Sequence, residues 1–446
     1  MLQMSRRLFL LLLLALGACA PLSIGQQASH PPIVFVHGNG DTAALWNTTL
    51  WRFESNGYDR GLLHAIDFQY PLARSDDAKP QPLRSSTADQ MRELSAKVDE
   101  VRRITGRDKV VLIGNSRGGN VIRNYVKNGG GAAKVSHAIL GGTPNHGVFD
   151  WEQTRGSEFN GKGPFLMQLN AGPDEVMPGV RFMTVRSDNN DKFAQPDGAF
   201  VGAPGRATGV GFDSPELKGA ENVVIPKIDH RETSYDTPAF AEMYRFITGR
   251  PPAQLSIATE QRPVLNGKVN GMEGGVPTNL PVAGAKVEIY EVSRDTGARR
   301  GAAVHTRTTG PDGLWGPFNA NLDAHYEFVV TVPGHAITHV YRSPFPRSSS
   351  IVHLRPATLG KDDASAGSVV SINRPRGYFG HGRDVFTLDG KVPPGINQGV
   401  PGVATGKLLL PAGPLRPVPA RFNDEAMTVQ NWPAKDGHIV FAEFHY

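Results

Sequence analysis

The pentapeptide Gly114-Asn115-Ser116-Arg117-Gly118 places a hydroxyl between two glycines. Its flanks give the pattern meaning. Val110 to Ile113 is a short apolar run that reads as a buried strand, and Gly119 to Val126 carries Val121, Ile122, Tyr125 and Val126 at helical spacing. A strand, a sharp turn and a helix would lift the Ser116 Oγ above the end of a sheet, with glycines beside it because the strained turn leaves no room for a Cβ. The start of the helix adds partial positive charge where an oxyanion would develop. An accidental Gly-Ser turn is the competing reading, and the strand and helix weigh against it. A serine hydroxyl is a weak nucleophile until an imidazole accepts its proton, so this chemistry also requires a histidine and a carboxylate to orient it.

The elements that must position these groups are legible from about Ile33 to Arg250. Ile33-Val34-Phe35-Val36 reads as a buried strand, and Leu62 to Phe68, Lys109 to Ile113, Val135 to Leu140, Arg181 to Val185 and Asn222 to Ile225 as further strands. Between them Met91, Leu94, Val98 and Val101 form one apolar helical stripe, with Ser86 and Asp89 as a capping-box pair at its start. Alternating strands and helices predict a mostly parallel sheet flanked by helices.

Three segments carry a resemblance. Val36-His37-Gly38-Asn39-Gly40, Gly114-Asn115-Ser116-Arg117-Gly118 and Gly142-Thr143-Pro144-Asn145-His146-Gly147 resemble the lipase class 2 branch of the α/β-hydrolases, with extracellular polyhydroxyalkanoate depolymerases as a related group. The resemblance covers residues 31–250 and implies an α/β-hydrolase fold and a serine hydrolase of carboxylic esters. It also implies a chain order of serine, acid, histidine. His230, in Ile228-Asp229-His230-Arg231 before a last helix from Thr237 to Ile247, fits the base. His137 and His146 come too early, and His137 reads as a sheet-edge residue. For the acid, Ser187-Asp188-Asn189-Asn190-Asp191-Lys192-Phe193 offers two carboxylates. The family's habit of an apolar residue shortly after the acid favours Asp191, Asp188 follows closely, and Asp197 and Asp150 are further candidates. Backbone N–H groups of Asn39 and Arg117 would form the oxyanion hole.

The segment 148–180 is long for a connection and carries Phe149, Trp151, Phe165, Leu166, Met167 and Leu169. It predicts either a small lid against an acyl chain or ordinary helix-to-sheet packing. A linker at 251–262 follows Gly249-Arg250-Pro251-Pro252, after which helical periodicity vanishes. Lys286 to Val292 and Tyr326 to Val330 alternate as strands do, so the C-terminal region reads as all-β, with a β-sandwich at 263–356 and a further β domain at 368–446. Pro281 to Val287 with Asp312-Gly313 resembles carboxypeptidase-regulatory-like sandwiches. Trp315, Phe318, Tyr341, Phe345, Tyr378, Phe379 and Trp432 are candidates either for surface adsorption or for core packing. No nucleophile constellation occurs in this region, which is expected to do no chemistry.

At the other end, Arg6 and Arg7 precede an apolar run from Leu8 to Leu14 that reads as a signal peptide over residues 1–18. Leu16-Gly17-Ala18-Cys19 resembles a bacterial lipobox. It implies lipid attachment at Cys19, a lipidated linker over 19–30, and an exported protein, either a cell-envelope lipoprotein or secreted. The chain of 446 residues has a single cysteine, which leaves no disulfide framework, and neither CxxC nor HExxH occurs. Its net charge of +5 is spread without a basic block, which argues against a nucleic-acid partner. The mechanism needs no cofactor. The expected partner is a hydrophobic ester, lipid or polyester, with membrane contact through the lipid anchor only. Outside enzymes, an inactive hydrolase scaffold used as a surface binding module is the alternative, and the presence of Ser116 and His230 argues against it.

Overall fold

The computed structural model describes residues 30–396 and 398–446, so the signal peptide, Cys19 and all but the last residue of the linker at 19–30 lie outside the described residues. Residues 31–446 form one compact unit.

Its first half is built on six parallel strands: β1 (Ile33–Val36), β2 (Leu63–Ile66), β3 (Val110–Asn115), β4 (Val135–Gly141), β5 (Arg181–Ser187) and β6 (Glu221–Ile225). They lie in the order β2-β1-β3-β4-β5-β6. Both faces are covered because both parities of each central strand are apolar. Ile33, Phe35, Val111 and Ile113 face α1 (Asn47–Ser55) and α5 (Thr237–Thr248), where Phe53, Phe240 and Met243 complete the layer. Val34, Val36, Leu112 and Leu140 face α2 (Thr87–Thr105) and α3 (Arg117–Asn128), meeting Leu94, Val98, Ile122 and Tyr125. The capping box is present: the Ser86 hydroxyl accepts from the Asp89 N–H while the Asp89 carboxylate accepts from the Ser86 N–H. Strand order reverses between β1 and β3, so the loops leaving these two neighbours diverge to opposite faces and open a crevice at their C-terminal ends. Both glycine-rich motifs sit there. His137, expected at a sheet edge, instead lies inside the sheet, paired with Val111 and Arg181.

The second half is all-β, and its sheet crosses the expected boundary between 263–356 and 368–446. Seven strands lie in one sheet, in which Ile337–Arg342 pairs in parallel with His438–Glu443, which in turn pairs with Ser368–Asn373. A three-stranded sheet of Phe386–Leu388, Pro417–Phe422 and Glu425–Gln430 covers one part of it, burying Phe386, Val418, Phe422 and Val429 against Val370, Ile372 and Val440. Another part buries Trp315, Phe328, Phe345 and Val352. The aromatic candidates for adsorption are turned inward: Trp315, Phe318, Tyr341, Phe345 and Phe379 are core residues, Trp432 is half-buried against the core, and Tyr378 is buried outside the β core.

The two halves share their interiors. Trp51 of α1 is buried among Leu265, Phe345 and Val352, and its indole N–H donates to the Ser348 carbonyl at 2.9 Å. Asp229 and Glu232 are buried carboxylates of the first half, and their counter-charges come from the second. Arg374 reaches Asp229 at 3.2 Å and Glu232 at 2.5 Å, and Arg383 reaches Glu232 at 2.7 Å. Burial and the Asp229 charge nevertheless push the Glu232 carboxyl up to about 7. Breaking a buried ion pair from one side leaves the other charge uncompensated, at a cost of about 3–5 kcal/mol. Arg374→Met should accordingly lower the unfolding free energy obtained from urea denaturation by an amount in that range, and a chain ending at residue 255 should be unfolded by circular dichroism. A native far-ultraviolet spectrum with a cooperative melt in the shortened chain would refute this dependence.

Candidate active site

Ser116 sits between β3 and α3 with φ 54° and ψ −126°, a conformation that a residue with a Cβ holds only under strain of about 1–3 kcal/mol. The strain is sustained by close packing on either side. A Cβ on Gly118 would lie 2.4 Å from the Val36 carbonyl oxygen, and one on Gly38 would lie 2.9 Å from the Ser116 Cβ. The glycines thus let α3 and the loop after β1 close on the serine. His37, in that loop, is structural. Its Nδ1 is 2.8 Å from the Gly38 carbonyl and its Nε2 accepts from the Phe68 N–H at 3.2 Å, while burial lowers its pKa.

His230 lies in the Asp229–Glu232 turn and is 2 % exposed. The Asp229 carboxylate accepts from the N–H groups of Arg231 and Glu232, and the Glu232 carboxylate accepts from the Asp229 N–H, so the turn is capped reciprocally. The Asn115 side-chain amide, one residue before the serine, donates to the His230 carbonyl at 3.1 Å and so ties the histidine's backbone to the serine's. Sequence reasoning assigned Asn115 no role of its own. Its signal was a polar residue at the end of a fully buried strand, where an amide must find partners.

The histidine's Nδ1 stands 2.9 and 2.8 Å from the two carboxylate oxygens of Asp191. Asp191 is 3 % exposed, and one of its oxygens also accepts from the Phe193 N–H, while the Phe193 ring lies edge-on to the imidazole at 4.7 Å. Asp188 turns elsewhere: it accepts from the Asn189 and Lys227 N–H groups and the Ser187 hydroxyl, closing the turn after β5. Asp197 caps a turn at Ala199, and Asp150 pairs with Lys162. His146 pairs with Glu175 at 2.8 Å.

Ser116, His230 and Asn39 line one cavity of about 430 Å³. Arg117 opens α3, where the first N–H groups lack intrahelical acceptors. Its guanidinium is fully buried on Glu158, Ser85 and the Pro71 carbonyl, and so ties together the loop before α2 and the long segment after β4. The cavity walls are apolar, with Val148, Phe149 and Phe159 from the long segment after β4. The helix of that segment, α4 (Pro164–Leu169), buries Leu166 and Leu169 and exposes Met167. Phe193, Phe200 and Val201 supply the opposite wall, which sequence reasoning did not foresee. Lys192 and Tyr378 also line it, and Tyr378 comes from the all-β half. The Lys192 ammonium lies 4.1 Å from the Tyr378 ring centroid and donates to the Gly402 carbonyl, and burial, helped by Arg231, brings its pKa down to about 8. Among the described residues no group of three or more His, Cys, Asp or Glu side chains could hold a metal ion, and no helix is long and apolar enough to cross a membrane.

Comparison with known proteins adds two segment matches and several structural likenesses. A Bacillus licheniformis lipase in its mature form shares 21 % identity, with 50 % of this chain and 93 % of that one covered and a TM-score of 0.38. The same lipase in its propeptide form shares 16 % over 91 % of this chain and 93 % of that one, with a TM-score of 0.37. A phospholipase from Legionella pneumophila shares 13 % over 73 % and 93 %, with a TM-score of 0.32. The family models are more specific. Residues 264–359, whose β segment resembled carboxypeptidase-regulatory-like sandwiches, match the lipase C-terminal domain, and residues 30–149 match lipase (class 2). Two segments of the chain, 30–149 and 264–359, are thus similar to the lipase (class 2) and lipase C-terminal domain models, and this similarity supports a hydrolase of the lipase and esterase type.

Proposed function

We propose that the protein hydrolyses carboxylic esters of hydrophobic acids through Ser116 as nucleophile, His230 as general base and Asp191 as the carboxylate that orients it. The observation that carries this reading is the bidentate approach of Asp191 to the His230 Nδ1, with Ser116 on a strained turn in the same cavity. In this mechanism the His230 Nε2 takes the Ser116 proton as Oγ adds to the ester carbonyl. The backbone N–H groups of Asn39 and Arg117 receive the oxyanion, and α3 directs its N-terminal partial charge at the same place. The imidazolium then protonates the leaving alcohol, and water, deprotonated by the same histidine, releases the acid from the acyl-enzyme. Asp191 fixes the tautomer with Nδ1–H toward itself and stabilises the imidazolium. The phenylalanines at 149, 159, 193 and 200 suit an acyl chain, and the segment 148–180 acts as a lid through its residues at the cavity wall.

Ser116→Ala and His230→Ala should each lower kcat for p-nitrophenyl butyrate about ten-thousandfold with the circular dichroism spectrum unchanged. Asp191→Asn should cost about a thousandfold, and Asp188→Asn less than about tenfold. Near-native rates in either of the first two variants would refute the triad, and a reversed ranking of the aspartates would transfer the acid's role to Asp188.

We further propose that the protein is exported and held at the cell envelope through lipid on Cys19, since several acyl chains anchor far more firmly than one. Cys19→Ala should move the protein from the membrane fraction to the soluble fraction with its activity intact. A wild-type protein already soluble would contradict the anchor.

A further inference from the structure

A second cavity, of about 480 Å³, adjoins the first and is lined by Arg231, Arg342, Arg355, Arg376, Asp41 and Glu443 among others. Four guanidinium groups thus face two carboxylates. Arg231 is paired with Asp41 at 2.8 Å, and Arg342 with Glu443. Arg355 and Arg376 have no carboxylate partner among the described residues. Arg376 is 2 % exposed, and its Nε and Nη1 donate only to the carbonyls of Ala44, Phe444 and His445. Arg355 gives its Nη2 to the Thr278 carbonyl and the Asn279 side chain. Among the described residues its Nε has no hydrogen-bond partner, and neither does that of Arg342. Asp67, whose charge also reaches Arg355, is already engaged by Lys268 and His353.

An interior rarely keeps an ionised group without compensation, because the charged form is desolvated and either its proton equilibrium shifts or an opposite charge is found. Burial, reinforced by the neighbouring Arg342 charge, brings the Arg376 pKa down to about 10, and burial lowers that of Arg355 against the pull of Asp41 and Asp67. Arginine remains protonated at that value, so both positive charges persist. Guanidinium groups that line a roomy cavity match the planar, multidentate geometry of an oxyanion, which a lysine would not.

We infer that this cavity is a binding site for an oxyanion, a carboxylate or a phosphate group, held by Arg355 and Arg376 beside the Arg231–Asp41 pair. Asp41 and Arg231 line both cavities, so the bound anion lies next to the catalytic cavity. The site stands on its own charge and geometry and does not depend on the reaction assigned to Ser116.

Calorimetric titration of the full chain at low ionic strength with inorganic phosphate, and separately with sodium butanoate, reads the site directly. Saturable binding of one anion per chain is expected, weakened at least about tenfold by Arg355→Gln. Tighter binding of phosphate would assign a phosphate-bearing ligand, and tighter binding of butanoate a carboxylate. Should Arg355→Gln fail to fold, phenylglyoxal modification of the wild-type chain mapped by mass spectrometry gives the same answer, with Arg355 protected by the anion. Absence of saturation by both anions, binding unchanged in Arg355→Gln, or an Arg355 modified equally with and without the anion would overturn the site.

Discussion

The two buried carboxylates on either side of His230 govern much of this molecule. Asp229 and Glu232 cap the turn that carries the imidazole, and a turn so capped is rigid only while both charges are compensated. The compensation comes from Arg374 and Arg383, roughly 140 residues further along the chain, and the Tyr378 N–H adds a hydrogen bond to Asp229 at 2.8 Å. The all-β region is therefore bound into the wall of the cavity that Ser116 and His230 line. The relation runs the other way as well, since Trp51 of the first half fills part of the β core.

The sheet explains why the serine and the histidine meet. Reversal of strand order between β1 and β3 leaves a crevice at their C-terminal ends, and the loops that carry Gly38 and Ser116 emerge on its two sides. Close approach of backbone at Gly38 and Gly118 fixes the position of Ser116, and the Asn115 amide ties the His230 backbone to the same strand end. The Asp191 side chain then needs to satisfy only the Phe193 N–H and the imidazole.

What the sequence made legible was what local chemistry determines. The six parallel strands fall within a few residues of the apolar runs that announced them, and the Ser86–Asp89 pair caps its helix because both partners lie within one turn. The serine turn was readable because its glycines are demanded by contacts at the turn itself. The choice between Asp188 and Asp191 was not local, because it depends on the Lys227 N–H, nearly forty residues away, which takes Asp188 into a turn. Tyr378, Arg374 and Phe200 were invisible as site residues for the same reason. An isolated arginine or aromatic gives no periodicity, and its place is set by a sheet that mixes strands from residue 286 to residue 443. The aromatics weighed for adsorption illustrate the point: their turn-like neighbours, Gly and Pro, suggested solvent, while the sheet-on-sheet packing buried them.

The central claim is that Ser116 is a nucleophile activated by His230, and labelling by a fluorophosphonate probe tests it most directly because the probe reports attack by Oγ without any assumption about substrate. Incubation of the full chain with the probe, followed by peptide mapping, should place a single adduct on Ser116 and lose it in His230→Ala. An unlabelled wild-type chain, or an adduct on another residue, would contradict the account.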